Sequence, residues 1–149
     1  MSHYEAPSPL MAKIVNPALC FLIGTIGINI QGAWILTVRG RKSGKLKSLP
    51  VNVLIYQGAR YLVSPRGETQ WVRNLRAAGD AQLRRGNSID KVRVAEEVSV
   101  EGRPPVLRAY LQKWDGQTKS IFGFDRTVSD SELAEAAAKY PVFRLIPIV

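Results

Sequence analysis

Residues 39–50 read RGRKSGKLKSLP, with five cations, two glycines, two serines and no acid. Residue types in that density suit the holding of an anion. Glycines let the backbone turn tightly and bring its N–H groups to a ligand, and Lys and Arg meet phosphate or carboxylate oxygens through charge-assisted hydrogen bonds. An ordinary solvated hairpin loop is the plain alternative, and the lack of any compensating acid weighs against it. Residues 40–46 (GRKSGKL) do not make a nucleoside-triphosphate loop. Three residues rather than four separate the glycines, and Leu46 stands where Ser or Thr must bind magnesium. A dinucleotide fingerprint is also missing, because Gly-x-Gly-x-x-Gly is absent and the next element is a strand.

A second constellation is Ser64-Pro65-Arg66-Gly67 followed by Trp71-Val72-Arg73-Asn74-Leu75. A helix starting just after Gly67 exposes backbone donors and partial positive charge, which suit a phosphate or the polar edge of a flat ring. Trp71 and Asn74, three apart, share a helix face and bring an aromatic plane and an amide to one place. Taken alone, the segment reads first as a core stripe of Trp71 and Leu75, with Asn74 a local hydrogen-bonder.

The elements that must position these residues follow from pattern. Residues 34–38 (WILTV) make a strand before the basic loop, and 49–56 (LPVNVLIY) return as a second. Residues 60–64 complete a hairpin about Gln57-Gly58-Ala59. A helix is expected over 69–78, stopped by Gly79. Residues 81–85 and 89–98 form a hairpin about Gly86-Asn87. One helix starts at Pro104-Pro105 and runs to Trp114; another runs from Ser129, in a capping box with Glu132, to Tyr140. A last strand covers 142–148. Before all of these lies 17–30 (PALCFLIGTIGINI), read as a helix that either packs on the core or touches membrane; it is too short and glycine-interrupted for a span. The expected organisation is one domain over 1–149, with an apolar helix within 1–32 and the barrel and helices in 33–149. Its class is mainly β with flanking helices, a small antiparallel barrel.

Composition bounds the partners. A chain of 149 residues, 46% of them hydrophobic, buries a real core. The formal charge of +9 favours anionic partners, whether nucleic acid, a phosphorylated or polyacidic cofactor, or anionic lipid. Cys20 and His3 stand alone of their kinds, which leaves no disulfide framework and no soft-ligand metal cluster. No nucleophile stands in a recognisable catalytic motif, and Glu96, Glu97 and Glu101 read as solvated positions. Catalytic side chains are therefore expected to be none, and a reducing cytoplasm fits.

The order Leu36-Thr37-Val38-Arg39-Gly40-Arg41-Lys42-Ser43-Gly44, with Lys47, Pro50, Ser64-Pro65-Arg66-Gly67 and Trp71-x-x-Asn74-Leu75, resembles the deazaflavin-dependent nitroreductase family. The resemblance is clearest over 34–85 and extends, less distinctively, to residues 141–145. It implies a six-stranded split β-barrel of the FMN-binding and flavin reductase type, and the deazaflavin coenzyme F420. Carried onto matching positions, it implies that Arg41, Lys42, Ser43, Gly44 and Lys47 hold the coenzyme's phosphate and acidic tail. Pro50, Val51 and the turn Val63, Ser64, Pro65, Arg66 and Gly67 would flank the deazaflavin ring, with Trp71, Asn74 and Leu75 completing the wall. The implied reaction is hydride transfer to a quinone-like, enone or nitroaromatic acceptor, with Phe122 and Phe124 lining its pocket.

Three alternatives stay open. The same barrel holds FMN elsewhere, although a single phosphate needs fewer cations than this loop offers. A nucleic-acid-binding barrel would interleave its cations with exposed aromatics, and these cations concentrate on one loop, so no nucleic-acid partner is expected. A non-catalytic carrier or membrane-associated binding protein is the third. The expected setting is cytoplasmic, as monomer or homodimer, with peripheral membrane contact through the amino-terminal helix.

Overall fold

The structure, a computed structural model, describes residues 33–114, 119 and 121–148. The helix expected over 17–30 lies outside the described residues. Strands β1 (Trp34–Arg39), β2 (Leu46–Val51), β3 (Val53–Tyr56), β4 (Ala59–Val63), β5 (Asp80–Arg85), β6 (Ser88–Glu97) and β7 (Val142–Pro147) form one antiparallel sheet in the order β2-β1-β5-β6-β7-β4-β3. Helix α1 (Gln70–Ala78) follows β4. After β6 come a 3-10 turn (Val100–Gly102) and α2 (Arg103–Lys113); α3 (Asp130–Ala136) and a second 3-10 turn (Ala137–Lys139) lead into β7.

The two outermost strands, β2 and β3, are consecutive in the chain and separated by Asn52 alone. The chain therefore ties the two edges of the sheet together, and the sheet curls. The same break corrects the expected six strands to seven. What reads as one strand over 49–56 changes partner at Asn52: Val51 stands opposite Trp34 of β1, and Val53 opposite Leu62 of β4. An apolar run records burial on both sides of the break and carries no signal of which strand it pairs with.

Alternation along each strand sorts side chains into two cores. Leu36, Val38, Leu62, Leu83, Val92, Phe143 and Leu145 point into the barrel and meet Val72 and Leu75 of α1, which plugs it. Their sequence neighbours on β4 and β7, Val63 and Val142, point the other way and join Val106, Leu107 and Leu111 of α2 and Leu133 of α3. Helices α2 and α3 thus cover the outer side of the β3-β4-β7 half of the sheet.

The expected helix signals are realised. Gly79 caps α1 in the left-handed conformation (φ 81°), its N–H bonding Leu75 O at 2.8 Å. Ser129 caps α3 by accepting from the Glu132 N–H at 3.2 Å. Helix α3 stops at Ala136, short of Tyr140, because its last turn tightens and offers carbonyls elsewhere: Arg103 Nη1 donates to Ala137 O at 3.1 Å and Ala138 O at 3.4 Å. Arg103 also donates through Nε to Val98 O at 2.9 Å, and lies 3.5 Å from Glu97. Glu97 in turn holds Arg76 of α1 through two bonds of 2.8 Å, and Arg76 reaches Glu68 through two of 3.0 Å. This ladder fastens α1 to β6 and α2. The Arg76 hydrogen bond holds the Glu68 carboxyl below its ordinary value.

Candidate functional site

The loop between β1 and β2 folds on its own backbone. Gly40 N–H donates to Lys45 O at 2.7 Å, Gly44 N–H to Gly40 O at 2.9 Å, and Arg39 Nη1 to Gly44 O at 2.6 Å. Gly44 sits at φ +74°, a conformation a side chain disfavours. A Cβ on Gly40 would lie 3.0 Å from Ser43 Oγ, 3.1 Å from Lys47 Cε and 3.3 Å from Lys45 O, so the two limbs of the loop pass close to each other there.

A buried side chain of α1 ties this loop to the rest of the protein. Asn74 on α1 is 3% exposed, and its Oδ1 accepts both the Arg41 N–H at 3.1 Å and Arg41 Nη1 at 2.7 Å. Asn74→Ala leaves both donors without that acceptor and is expected to destabilise the protein by about 2 kcal/mol. Chemical denaturation checks this, and an unchanged midpoint would contradict the bracket. With the loop so held, Lys42, Ser43, Gly44, Lys45 and Lys47 are exposed, and among the described residues none of the loop's cations forms an ion pair.

The turn before α1 is equally constrained. Ser64, fully buried, donates through Oγ to Gly67 O at 2.6 Å, and its N–H bonds Pro141 O at 3.0 Å. Gly67 adopts φ +86°, with a hypothetical Cβ 3.3 Å from Lys139 O. Arg66 is exposed, as is Arg73 on α1. Thr69 caps α1 with no side-chain hydrogen bond, and its buried Oγ1 has no partner among the described residues. Helix α1 thus begins directly at this turn, with the partial positive charge of a helix start beside it.

Trp71 is half-buried, with its ring centroid 6.2 Å from that of Phe143 at the edge of the barrel core. Leu75 is fully buried in that core, and Pro50, Val51 and Val63 are buried in the strands. Of the residues expected at a site, the structure thus brings Arg41 and Asn74 into direct contact, and Trp71 lies one turn from Asn74 on the same helix face. Phe122 and Phe124 belong to the other core. Phe122 is 7% exposed, stacks on Phe124 at 5.4 Å and meets Tyr140 edge-on at 4.7 Å. Tyr110 and Trp114 extend that aromatic cluster.

Three features escaped sequence reading. Glu97, read as solvated, is the hinge of the ion-pair ladder. Thr37 and Ser48 bond across β1 and β2 at 2.8 Å, beside the basic loop. Asn52, at the break between β2 and β3, donates to the Tyr110 hydroxyl at 3.3 Å, and burial pushes the Tyr110 pKa up to about 12. A lone Asn inside an apolar run was the only available signal for the last. Among the described residues, no group of His, Cys, Asp and Glu is arranged to hold a metal, and no helix is long and apolar enough to cross a membrane.

The fold is thus a curled antiparallel sheet plugged by a helix, with a cationic loop pinned to that helix through Asn74. Residues 20–129 match the profile of the F420H(2)-dependent quinone reductase family, and the chain belongs to that family. It is accordingly an oxidoreductase that depends on reduced coenzyme F420. An F420 reductase of known structure is 12% identical, with 80% of this chain covering 88% of that one at a TM-score of 0.50. A protein of unknown function from Agrobacterium tumefaciens is 14% identical, with 95% of this chain covering 59% of it at 0.52. At these identities the two share the fold. No curated protein matches the chain.

Proposed function

We propose that this reductase passes a hydride from F420H2 to a flat, electron-poor acceptor of the quinone class, on a split barrel of the flavin reductase type. The observation that carries the coenzyme site is the set of exposed cations, without an ion pair among the described residues, on a loop tied down by Asn74. The coenzyme's phosphate and carboxylate tail needs dispersed positive charge, and Lys42 and Lys47 supply it while Arg41 orients the loop. The narrow cradle at Gly40 and the orphaned Thr69 hydroxyl fit the same ligand.

In this reading Arg41, Lys42, Ser43, Gly44 and Lys47 bind the tail. Pro50, Val51 and the turn from Val63 to Gly67 wall the ring, and Trp71 closes one side. Leu75 and Ser64, both fully buried, act from behind by fixing the helix and the turn. The bound coenzyme supplies the hydride, so the protein's part is to align two flat molecules and exclude water. Phe122 and Phe124 give the acceptor side its aromatic character, with Phe124 the more exposed of the two.

The reading is tested by oxidation of F420H2 in the presence of a water-soluble naphthoquinone, an activated enone and a nitroimidazole, each at equal concentration. Fastest turnover with the quinone is expected. Turnover confined to the enone or the nitroimidazole would overturn the assignment of the acceptor while leaving that of the coenzyme.

A further inference from the structure

We propose that the outward face of β5 and β6, with the exposed ends of β1 and β2 at Arg39 and Leu46, is a docking surface for an anionic lipid membrane. The inference is independent of the acceptor assigned above.

The two halves of the sheet are treated differently. On β3, β4 and β7 the outer side is mostly apolar, with Leu54, Val63 and Val142 beneath α2 and α3. On the other four strands the buried residues Leu36, Val38, Leu83 and Val92 point inward, so their neighbours along each strand point out. Those neighbours include Arg39, Arg84, Lys91 and Arg93. Register sets Arg39 opposite Leu46, Arg84 opposite both Ile35 and Ile89, and Lys91 opposite Gln82. Arg84, Lys91 and Arg93 are exposed and make no ion pair among the described residues. One acid, Asp80, stands within the face, opposite Arg93. Beyond the bulge in β6, Glu96 is occupied by Arg144 at 2.9 Å.

Large aliphatic side chains lie among these cations. Leu46 is 63% exposed and Ile89 57%, and Ile148, 43% exposed, follows β7 with its N–H bonded to Lys91 O. Cations that stay unpaired beside exposed aliphatic groups complement a lipid surface on both counts, headgroup charge and interfacial apolarity. The alternatives fit less well. A second copy of the same face would set like charges against each other. A single-stranded nucleic acid would require aromatic rings for its bases, and the exposed large apolar groups of this face are Leu and Ile.

The test is cosedimentation of the full chain with phosphatidylcholine vesicles, with and without phosphatidylglycerol, in the absence of any acceptor. Binding is expected to the anionic vesicles alone. Arg84→Gln with Lys91→Gln is expected to weaken it by roughly 25-fold, about fivefold for each cation removed, while F420 affinity stays at the wild-type value and reports an intact barrel. Ile89→Ser is expected to weaken it at unchanged net charge. Absence of binding to anionic vesicles would overturn the proposal. So would equal binding by the double variant, or a tighter association with nucleic acid that the same double variant abolishes.

Discussion

Replacing Lys42 and Lys47 together with alanine is expected to lower the affinity for F420 by roughly a hundredfold, about tenfold for each charge-assisted hydrogen bond lost. Thermal stability should not change, because both side chains are exposed and neither is tied to another described residue. The pair of outcomes separates ligand binding from folding. Asn74→Ala acts on the same loop by releasing Arg41, and it should cost stability as well as affinity. A folded Lys42 and Lys47 double variant with wild-type affinity would remove the loop from the coenzyme site. High salt should weaken the wild type more than the variant, since dispersed exposed charges are the ones that salt screens.

Arg103→Ala is expected to have the largest effect on stability, a loss of about 3 kcal/mol or more. The side chain is 7% exposed, and its guanidinium serves the carbonyls of Val98, Ala137 and Ala138 and the Glu97 carboxylate. Without it, the carbonyls of the 3-10 turn before β7 and one side of Glu97 lose their donor together. The thermal midpoint should fall by roughly 10 °C for a chain of this size. Arg103→Lys should recover only part of the loss, because an ammonium cannot reproduce a planar fork shared among four acceptors. A midpoint within a degree or two of wild type would show that the ladder from Glu68 to Arg103 is a surface arrangement of little energetic weight.

The contrast between these two sites explains what could be read from the chain beforehand. Local chemistry was legible: the basic loop with its glycines, the Gly79 stop, the Ser129 cap and the prolines that open α2 all declare themselves within a few residues. Positions whose meaning depends on a distant partner were not. Arg41 and Asn74 are 33 apart in sequence, and nothing in the character of either names the other, although both were expected at the same site. Glu97 reads as solvated because it is a carboxylate next to another, Glu96, at the end of a strand, yet its partners come from α1 and α2. The break at Asn52 was hidden for a related reason. Valines on both sides keep the apolar pattern going while the strand exchanges one neighbour for another, so six strands became seven without any change in periodicity. Phe122 illustrates a different limit. An aromatic residue beside a glycine reads as pocket or as core with equal ease, and only the rings of Tyr110, Phe124 and Tyr140 around it show how firmly it is packed.

The most direct test of the account is a fluorescence titration of the purified chain with F420, run beside FMN at moderate salt. With Lys42, Lys45 and Lys47 exposed on it, the loop is predicted to bind F420 tightly and FMN weakly, because only the former carries a run of carboxylates beyond its phosphate. Equal or tighter binding of FMN would contradict the role given to the loop, and binding of neither coenzyme would leave its cations to some other anion.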